Sequence, residues 1–505
     1  MSWGADTLGV SNETFEMIKA ATSGIVTGTD LAGIDLQPLI SLVPTDTPFF
    51  NSTPRVGAKQ GALFAYWQAL LNINNQQVDV GVPFDQAAGL VQIQNQYVFS
   101  PFVPLGLGGT VTQDALAQAQ GYADALAVAT LETIKQVLIG LDIHQLCAQS
   151  FALPAVGTVS LTTSTTGGSI ATATTVFVKC AARSGVNYYR GGSGVASAEA
   201  SLVDGAGSTN SFTATVVAVK GAVAYDWYIS STTTTEKYYT TTTVNTVLIT
   251  TIPNATQNVP SLAGIFNAGL LGPASVPVAD ASFQTFWQNG LIASIVGDFA
   301  SSLDALGVAG TVTNLVTPGA GTTQGAYFKS LDGGKLHVAG AALLELDAMN
   351  QSIYDTYQLT PTRYLMGSQS INDIANAVLN NPQAVTWLVP TDSDGRARVI
   401  AGGAVALYLN KTVNGKPITI ELQPHLPPGQ IIAVVDEVPF PGANIDQVLS
   451  VETQYDFWRF DYGANRAAGA TGGPRYDFEI RSKQAFRNKA APVMGIISNI
   501  AAGTS

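Results

Sequence analysis

His144, His337 and His425 are the chain's three histidines, and none has a second ligand type beside it at metal-binding spacing. A metal centre or a histidine-driven acid–base site requires such neighbours, so each is expected to be a structural or solvated side chain. Cys147 and Cys180 cannot form a disulfide framework for 505 residues, and each reads as a buried free thiol acting as a small hydrophobe. The phosphate loop GxxxxGK[ST], HExxH, the GxSxG elbow and paired CxxC are all missing. GLGGT at Gly106–Thr110 has the composition of a phosphate-binding turn, but no dinucleotide spacing follows it, so a strand-to-helix turn is expected. Glu345, Asp347 and Asp355 fall on one predicted helix as solvated positions. The residues that could do chemistry therefore give no catalytic, cofactor-binding or metal-binding set, and no enzyme is expected.

Composition narrows the alternatives. Charged residues make up 11% of the chain, under half of the roughly 25% usual for soluble domains. The 23 basic and 35 acidic side chains give a net charge of -12. A basic nucleic-acid reader is excluded, because it needs a Lys/Arg surplus to displace counterions. Charge-driven disorder is excluded by the 46% apolar content. A surface this poor in charge is expected to be covered, most simply by further copies of the chain; secreted glycoproteins and cell-surface layers share the composition. The opening MSWGADTLGVSNETFEM lacks a basic region and an apolar core, so no export signal is expected and folding is placed in a cytosol. No run reaches the roughly 18–20 apolar residues of a membrane-spanning helix.

The elements that would have to position any site are of several kinds. Pro38, Pro44 and Pro48 limit the first 50 residues to an extended arm with a short helix. From 51 to about 100, ALFAYWQALL and LVQIQNQYVFS flank a polar, turn-rich middle and predict a long hairpin. Such a hairpin is marginal alone and must lie on another surface. From about 112 to 149 a helical pattern follows, with Leu131, Ile134, Leu138 and Leu141 as its apolar stripe and a Glu132–Lys135 pair. At about 35 residues it would be a rod on the order of 50 Å. Residues 155–258 turn rich in Thr, Ser, Gly and Val, with alternating stretches that predict a β-sandwich. GAVAYDWYISS there resembles a core strand of immunoglobulin-like modules, with Tyr225, Trp227 and Ile229 on one face and the Thr run 232–235 as a loop. Beyond 260, residues 336–358 predict a helix with the stripe Leu346, Met349, Ile353 and Tyr357. A strand ending at Gly367 follows, then a helix with Ser370 and Asp373 at capping-box spacing, then further strands. The irregular alternation indicates an α+β protein.

Charge is segregated. Residues 1–140 hold 11 acidic and 4 basic side chains, a net of -7; residues 459–489 hold 7 basic and 3 acidic, a net of +4. Either these are two solvated faces with internal pairs, or the acidic arm and hairpin of one subunit meet the basic tail of the next, which would set register and association rate.

This order of parts resembles the major capsid proteins of tailed bacteriophages, the Hong Kong 97-type (HK-97-like) fold. The resemblance rests on PLISLVPTDTPFFNSTPR, the hairpin region, YADALAVATLETIKQVLIGLD, LLELDAMNQSIYDTYQLTPTRYLMGSQSI, PITIELQPHLPPGQIIAVVDE and FEIRSKQAFRNKAAPVMGIISNI. It implies an N-terminal arm (1–50), an extended loop (51–110), a peripheral domain with a spine helix (111–153, continued at 259–359), an axial domain (360–450) and a return to the peripheral domain (451–505). Residues 154–258 would be an inserted, all-β immunoglobulin-like sandwich on the outer face. The family implies hexamers and pentamers of an icosahedral shell around double-stranded DNA, assembled in the host cytoplasm, with a portal protein and in some cases a cement protein. Some members of the family cross-link covalently through a loop lysine; this loop offers only Lys59, with no recognisable partner, and the first 50 residues lack a scaffolding-type helical pattern, which implies a separate scaffolding protein.

On this reading no cofactor and no membrane are involved. Phe64, Trp67, Phe99, Phe102, Arg459, Arg466, Arg475, Arg481 and Arg487 are the expected contacts between subunits. The acidic balance discourages packaged DNA from adhering to the wall within a Debye length of about 8 Å. An encapsulin-like cage around an enzyme cargo remains the alternative, followed by a surface-layer or adhesin protein.

Overall fold

The computed structural model describes residues 46–58, 62–70, 82, 84–85, 95–118, 124–205, 207–253, 287–296, 326–339, 342–380, 407–411, 415–438, 447–466 and 474–503. The predicted arm up to 45, the hairpin's far end and most of 254–325 lie outside them.

Two long strands dominate. β19 (Leu449–Arg466) and β20 (Pro474–Asn488) pair antiparallel from Leu449↔Asn488 to Arg466↔Pro474. β1 (Arg55–Gly57) adds parallel to β19, and β4 (Val103–Thr112) adds antiparallel to β20. The resulting order is β1-β19-β20-β4. GLGGT lies inside β4, not in a strand-to-helix turn. Its glycines serve close approach: a Cβ on Gly109 would sit 2.3 Å from the Phe478 ring, and one on Gly106 would sit 2.3 Å from the Ile480 carbonyl oxygen.

The predicted single rod is two helices. After α1 (Pro48–Ser52) and β4 come α2 (Gln113–Gln118) and α3 (Ala125–Cys147). Asp124 starts α3 as its N-cap, accepting from the Leu126 and Ala127 amides at 3.1 and 3.0 Å. Its 23 residues span about 34 Å, shorter than expected. The buried face also differs from the predicted stripe: Ala125, Ala129, Thr133, Val137 and Leu141 face inward, while Leu131 is 53% exposed. Small side chains at every fourth position let the helix lie close on the glycine-bearing strand, in a core with Val111, Phe478 and Ile480.

A second sheet has the order β12-β21-β18-β15-β17-β16. Its strands are β12 (Tyr327–Ser330), β15 (Arg363–Met366), β16 (Leu407–Asn410), β17 (Lys416–Leu422), β18 (Ile431–Val434) and β21 (Gly495–Ser498). It carries α6 (Leu344–Tyr357), whose Leu346, Met349, Ile353 and Tyr357 are buried as the spacing predicts. The start of that predicted helix is instead the small hairpin β13 (Val338–Ala339) and β14 (Ala342–Leu343). α7 (Ser368–Asn380) begins before Ser370, so the expected capping box does not form; Asp373 accepts from the Gly503 amide at 2.9 Å. Near the joint of the two sheets, α5 (Leu291–Val296) and Trp287 join Phe49, Leu146, Phe486 and Met494 in the largest core.

Residues 160–249 make two further sheets around their own core. One is β11-β8-β5, from β5 (Ser160–Ser164), β8 (Ser211–Thr215) and β11 (Thr246–Ile249). The other is β10-β9-β6-β7, from β6 (Thr175–Arg183), β7 (Ala200–Val203), β9 (Ala224–Ser230) and β10 (Lys237–Thr242). The short helix α4 (Gly185–Arg190) lies between β6 and β7. Tyr225, Trp227 and Ile229 are fully buried between the sheets with Phe212 and Ile249. The Tyr225 hydroxyl accepts from the Val219 amide at 3.0 Å, a contact of the tyrosine-corner kind. Counted along the chain the strands run 1-4-7 and 6-5-2-3, whereas a constant-type immunoglobulin module runs 1-2-5-4 and 3-6-7. The layers are those of a sandwich, and the strand order is its own.

The last ribbon is β2 (Phe64–Leu70) with β3 (Asn95–Pro101), paired antiparallel from Phe64↔Pro101 to Leu70↔Asn95.

Candidate assembly surfaces

The two ribbons place the expected contact residues, and they do so unequally. At the base of the β2–β3 ribbon, Phe102 is only 6% exposed, packed with Ala65 and Ala485. Trp67 is part-buried in the same cluster, its Nε1 donating to the Asn488 carbonyl at 3.0 Å. These two side chains anchor the ribbon to β20 of its own chain. Its other face carries Phe64, Tyr66 and Phe99 in mutual ring contact, with centroids 5.7–6.3 Å apart. Tyr66 is 64% exposed there.

The β19–β20 ribbon carries a second aromatic face, which sequence reasoning did not single out. Irregular pairing between Thr453 and Trp458, with Phe457 at φ 50°, shifts the alternation. Phe457 turns toward Phe50 and the α3 core, while Tyr455 and Trp458 stack at 4.9 Å on the other side. Phe460 and Tyr462 continue that row, and Trp458 and Tyr462 are more than half exposed. The signal in the sequence is YDFWRFDY; without the bulge, simple alternation puts Tyr455 and Trp458 on opposite faces.

The arginines of this ribbon are not a bare basic patch. Arg459 pairs with Asp461 at 2.7 Å, Arg475 with Asp477 at 3.1 Å, Arg481 with Glu479, and Arg487 with Glu452 at 3.0 Å. Arg466 ends β19 and its side chain is outside the described residues. The Arg481 guanidinium also lies 5.6 Å from the Phe460 ring, and Tyr462 donates to Glu479 at 2.7 Å. Aromatic rings interleaved with paired arginines are the composition of energetic centres in protein interfaces. On the second sheet, edge strand β16 adds exposed Leu407 and Leu409.

Two charged side chains tie together segments distant in sequence. Asp142 of α3, fully buried, accepts from the Phe50 amide at 2.7 Å and bonds His425 Nδ1 at 2.6 Å. One carboxylate thus ties α1, α3 and the loop before β18. Arg363 contacts Ser52, Glu421 and Asp436 at 3.0–3.1 Å, beside a cavity of about 400 Å³.

Each of the three histidines has a definite partner. His337 Nδ1 meets Glu345 at 2.7 Å. Glu345 is buried, contrary to its predicted solvated position, because it also accepts from the His337 amide. His144 stacks edge-on to Trp287, and burial, then the charge of Arg190, push its pKa down to about 4. Cys147 and Cys180 are free and buried, and burial raises both thiols. Among the described residues no group of three or more His, Cys, Asp or Glu could hold a metal ion, and no helix is long and apolar enough to cross a membrane.

No family model matches the sequence, and no curated protein does. Among solved structures, the chain is similar to the capsid of a native GTA particle, with 8% identity over 95% of this chain and all of that one, at a TM-score of 0.41. It is similar to the capsid protein of cyanophage A-1(L), with 11% identity over 93% of this chain and 96% of that one, at a TM-score of 0.38. It is also similar to the SrpI encapsulin complex of Synechococcus elongatus, with 12% identity over 40% of this chain and 61% of that one, at a TM-score of 0.21.

Proposed function

We propose that this chain is a shell-forming structural protein, the major capsid protein of a tailed phage. Its copies assemble into the hexamers and pentamers of an icosahedral shell enclosing double-stranded DNA. The observation that carries this reading is the pair of extended ribbons, each with an aromatic row whose outer rings, Tyr66 on one and Trp458 and Tyr462 on the other, are more than half exposed. A contiguous apolar face of this kind on a soluble chain marks a protein contact. Permanent interfaces bury roughly 2,000–5,000 Å², and long ribbons reach neighbours that a compact body does not.

Subunit contacts then centre on Phe64, Tyr66 and Phe99 of one ribbon and on Tyr455, Trp458, Phe460 and Tyr462 of the other. Trp67 and Phe102 fix the first ribbon's angle, and Arg459, Arg475 and Arg481 with their carboxylates form polar rims; Arg466 completes the expected set, whereas Arg487, largely buried against Ser450 and Glu452, braces its own ribbon. The sandwich of 154–258 is an inserted module, immunoglobulin-like in its layering, buried tryptophan and tyrosine contact, displayed on the outer surface. A portal protein, a separate scaffolding protein and a cement protein are the further partners, and the virion is the location. The test is nuclease treatment of particles purified from producing cells. Protected double-stranded DNA supports the reading; particles filled with a protein cargo would assign the chain to the encapsulin-like alternative.

A further inference from the structure

Part of the sandwich lies outside its own core. Val186 of α4, with Val223 and Ala224 at the start of β9, belongs to the largest core of the body, beside Leu146 and Cys147 of α3 and Trp287. Gly185 leaves no room for a side chain there, since a Cβ would lie 2.4 Å from the Cys147 Cβ. A Cβ on Gly221, at φ 84°, would touch Leu153 and Val296 at 3.3 and 3.4 Å. Two cations of the sandwich also lie against rings of the body: Arg190 is 5.6 Å from the Trp287 ring centre and Lys220 is 5.7 Å from that of Phe328. The loop between β10 and β11 adds a polar contact. Asn245 is fully buried, and its Nδ2 donates to the Val216 carbonyl of the sandwich at 2.6 Å and to Asp332, in the turn after β12, at 2.8 Å. Ser330 donates to the same Asp332 oxygen at 2.7 Å and accepts from Asn499, beyond β21, at 2.9 Å. The turn is shaped to the sandwich: Asp332 has φ 50° and Gly333 φ 79°, and a Cβ on Gly333 would lie 2.6 Å from the Thr246 hydroxyl oxygen.

We propose that the sandwich is seated on the body through this two-part root, apolar at the end of α3 and polar at Asp332, so that the two unfold as one cooperative unit and the sandwich does not swivel on its connections. Domains of one chain move relative to each other by default unless their interface is large and hydrophobic. Here the interface is a shared core. Opening the sandwich alone would expose Leu146, Cys147 and Trp287 to water, and opening the body alone would expose Val186, Val223 and Ala224 and leave a buried amide hydrogen of Asn245 without its acceptor. The coupling is reciprocal: what destabilises one part destabilises the other equally. The root lies within one chain and is independent of shell assembly.

The experiment is native-state amide hydrogen exchange of the full-length chain in denaturant below its unfolding midpoint, following β6 and β8 of the sandwich and β18 and β21 of the body. Ile249→Val removes one methyl group from a fully buried position between the sandwich sheets. Exchange is expected to rise by the same factor, about three- to tenfold, in all four strands. A rise confined to β6 and β8 overturns the single unit. Val186→Ala combined with Asp332→Ala trims both halves of the root, and should let β6 and β8 exchange at least about tenfold faster than β18 and β21. One common rate in all four strands of that variant overturns the assignment of the coupling to the root.

Discussion

Replacing Trp458 by serine separates folding from assembly. Within one chain Trp458 loses its stack on Tyr455, a contact of about 0.5–1.5 kcal/mol. Between chains it gives up more. The side chain is 56% exposed, and a tryptophan presents about 250 Å², so about 140 Å² is left for a partner to cover. At about 25 cal/mol per Å² that area corresponds to about 3.5 kcal/mol per contact, an upper value because association has its own costs. The equilibrium for each contact should therefore weaken by up to a few hundred-fold. Sedimentation velocity over a concentration series reads the assembled fraction, and thermal unfolding of dissociated subunits reads the fold. The expected result is a large rise in the concentration needed for assembly with a melting temperature within a few degrees of wild type. Assembly at the wild-type concentration would refute the assignment of this aromatic row to an interface.

Other perturbations test the packing. Gly109→Ala places a Cβ 2.3 Å from the Phe478 ring and should cost about 1–3 kcal/mol in denaturant unfolding. Asp142→Ala strands the Phe50 amide and His425 Nδ1 and should cost about 3–5 kcal/mol, with exchange protection lost first in residues 48–52. Neither Cys147 nor Cys180 should react with a thiol reagent at about pH 8 until the chain unfolds, because both thiols are buried and shifted upward. Linkage at Glu236 gives a signed pH effect: its folded pKa of about 7 lies above the ordinary 4.5, so its contribution is full below about 4.5 and is lost as the pH rises through about 7. Unfolding of wild type and Glu236→Gln at several pH values measures it, and a difference that grows toward low pH would contradict the sign.

Legibility in the sequence followed how local each determinant was. The α6 stripe of Leu346, Met349, Ile353 and Tyr357 is readable because large apolar residues mark the helical period themselves. The face of α3 is not, because alanine and threonine at every fourth position are buried in a core completed by Phe478 and Ile480 of β20, far away in sequence. The glycines of β4 read locally as a turn, since their requirement is the Phe478 ring across the sheet. The β2–β3 pairing and the buried Tyr225–Trp227–Ile229 face were visible as alternation. The aromatic row on β19 was hidden by a bulge that reverses alternation, and the arginine pairs by register, which only the folded ribbon defines.

The most direct test is negative-stain electron microscopy of the purified full-length chain. Closed shells of uniform diameter, built from ring-shaped clusters of subunits, are the predicted image. A field of dispersed single subunits at high concentration, with both aromatic ribbons exposed to solvent and no tendency to associate, would contradict it.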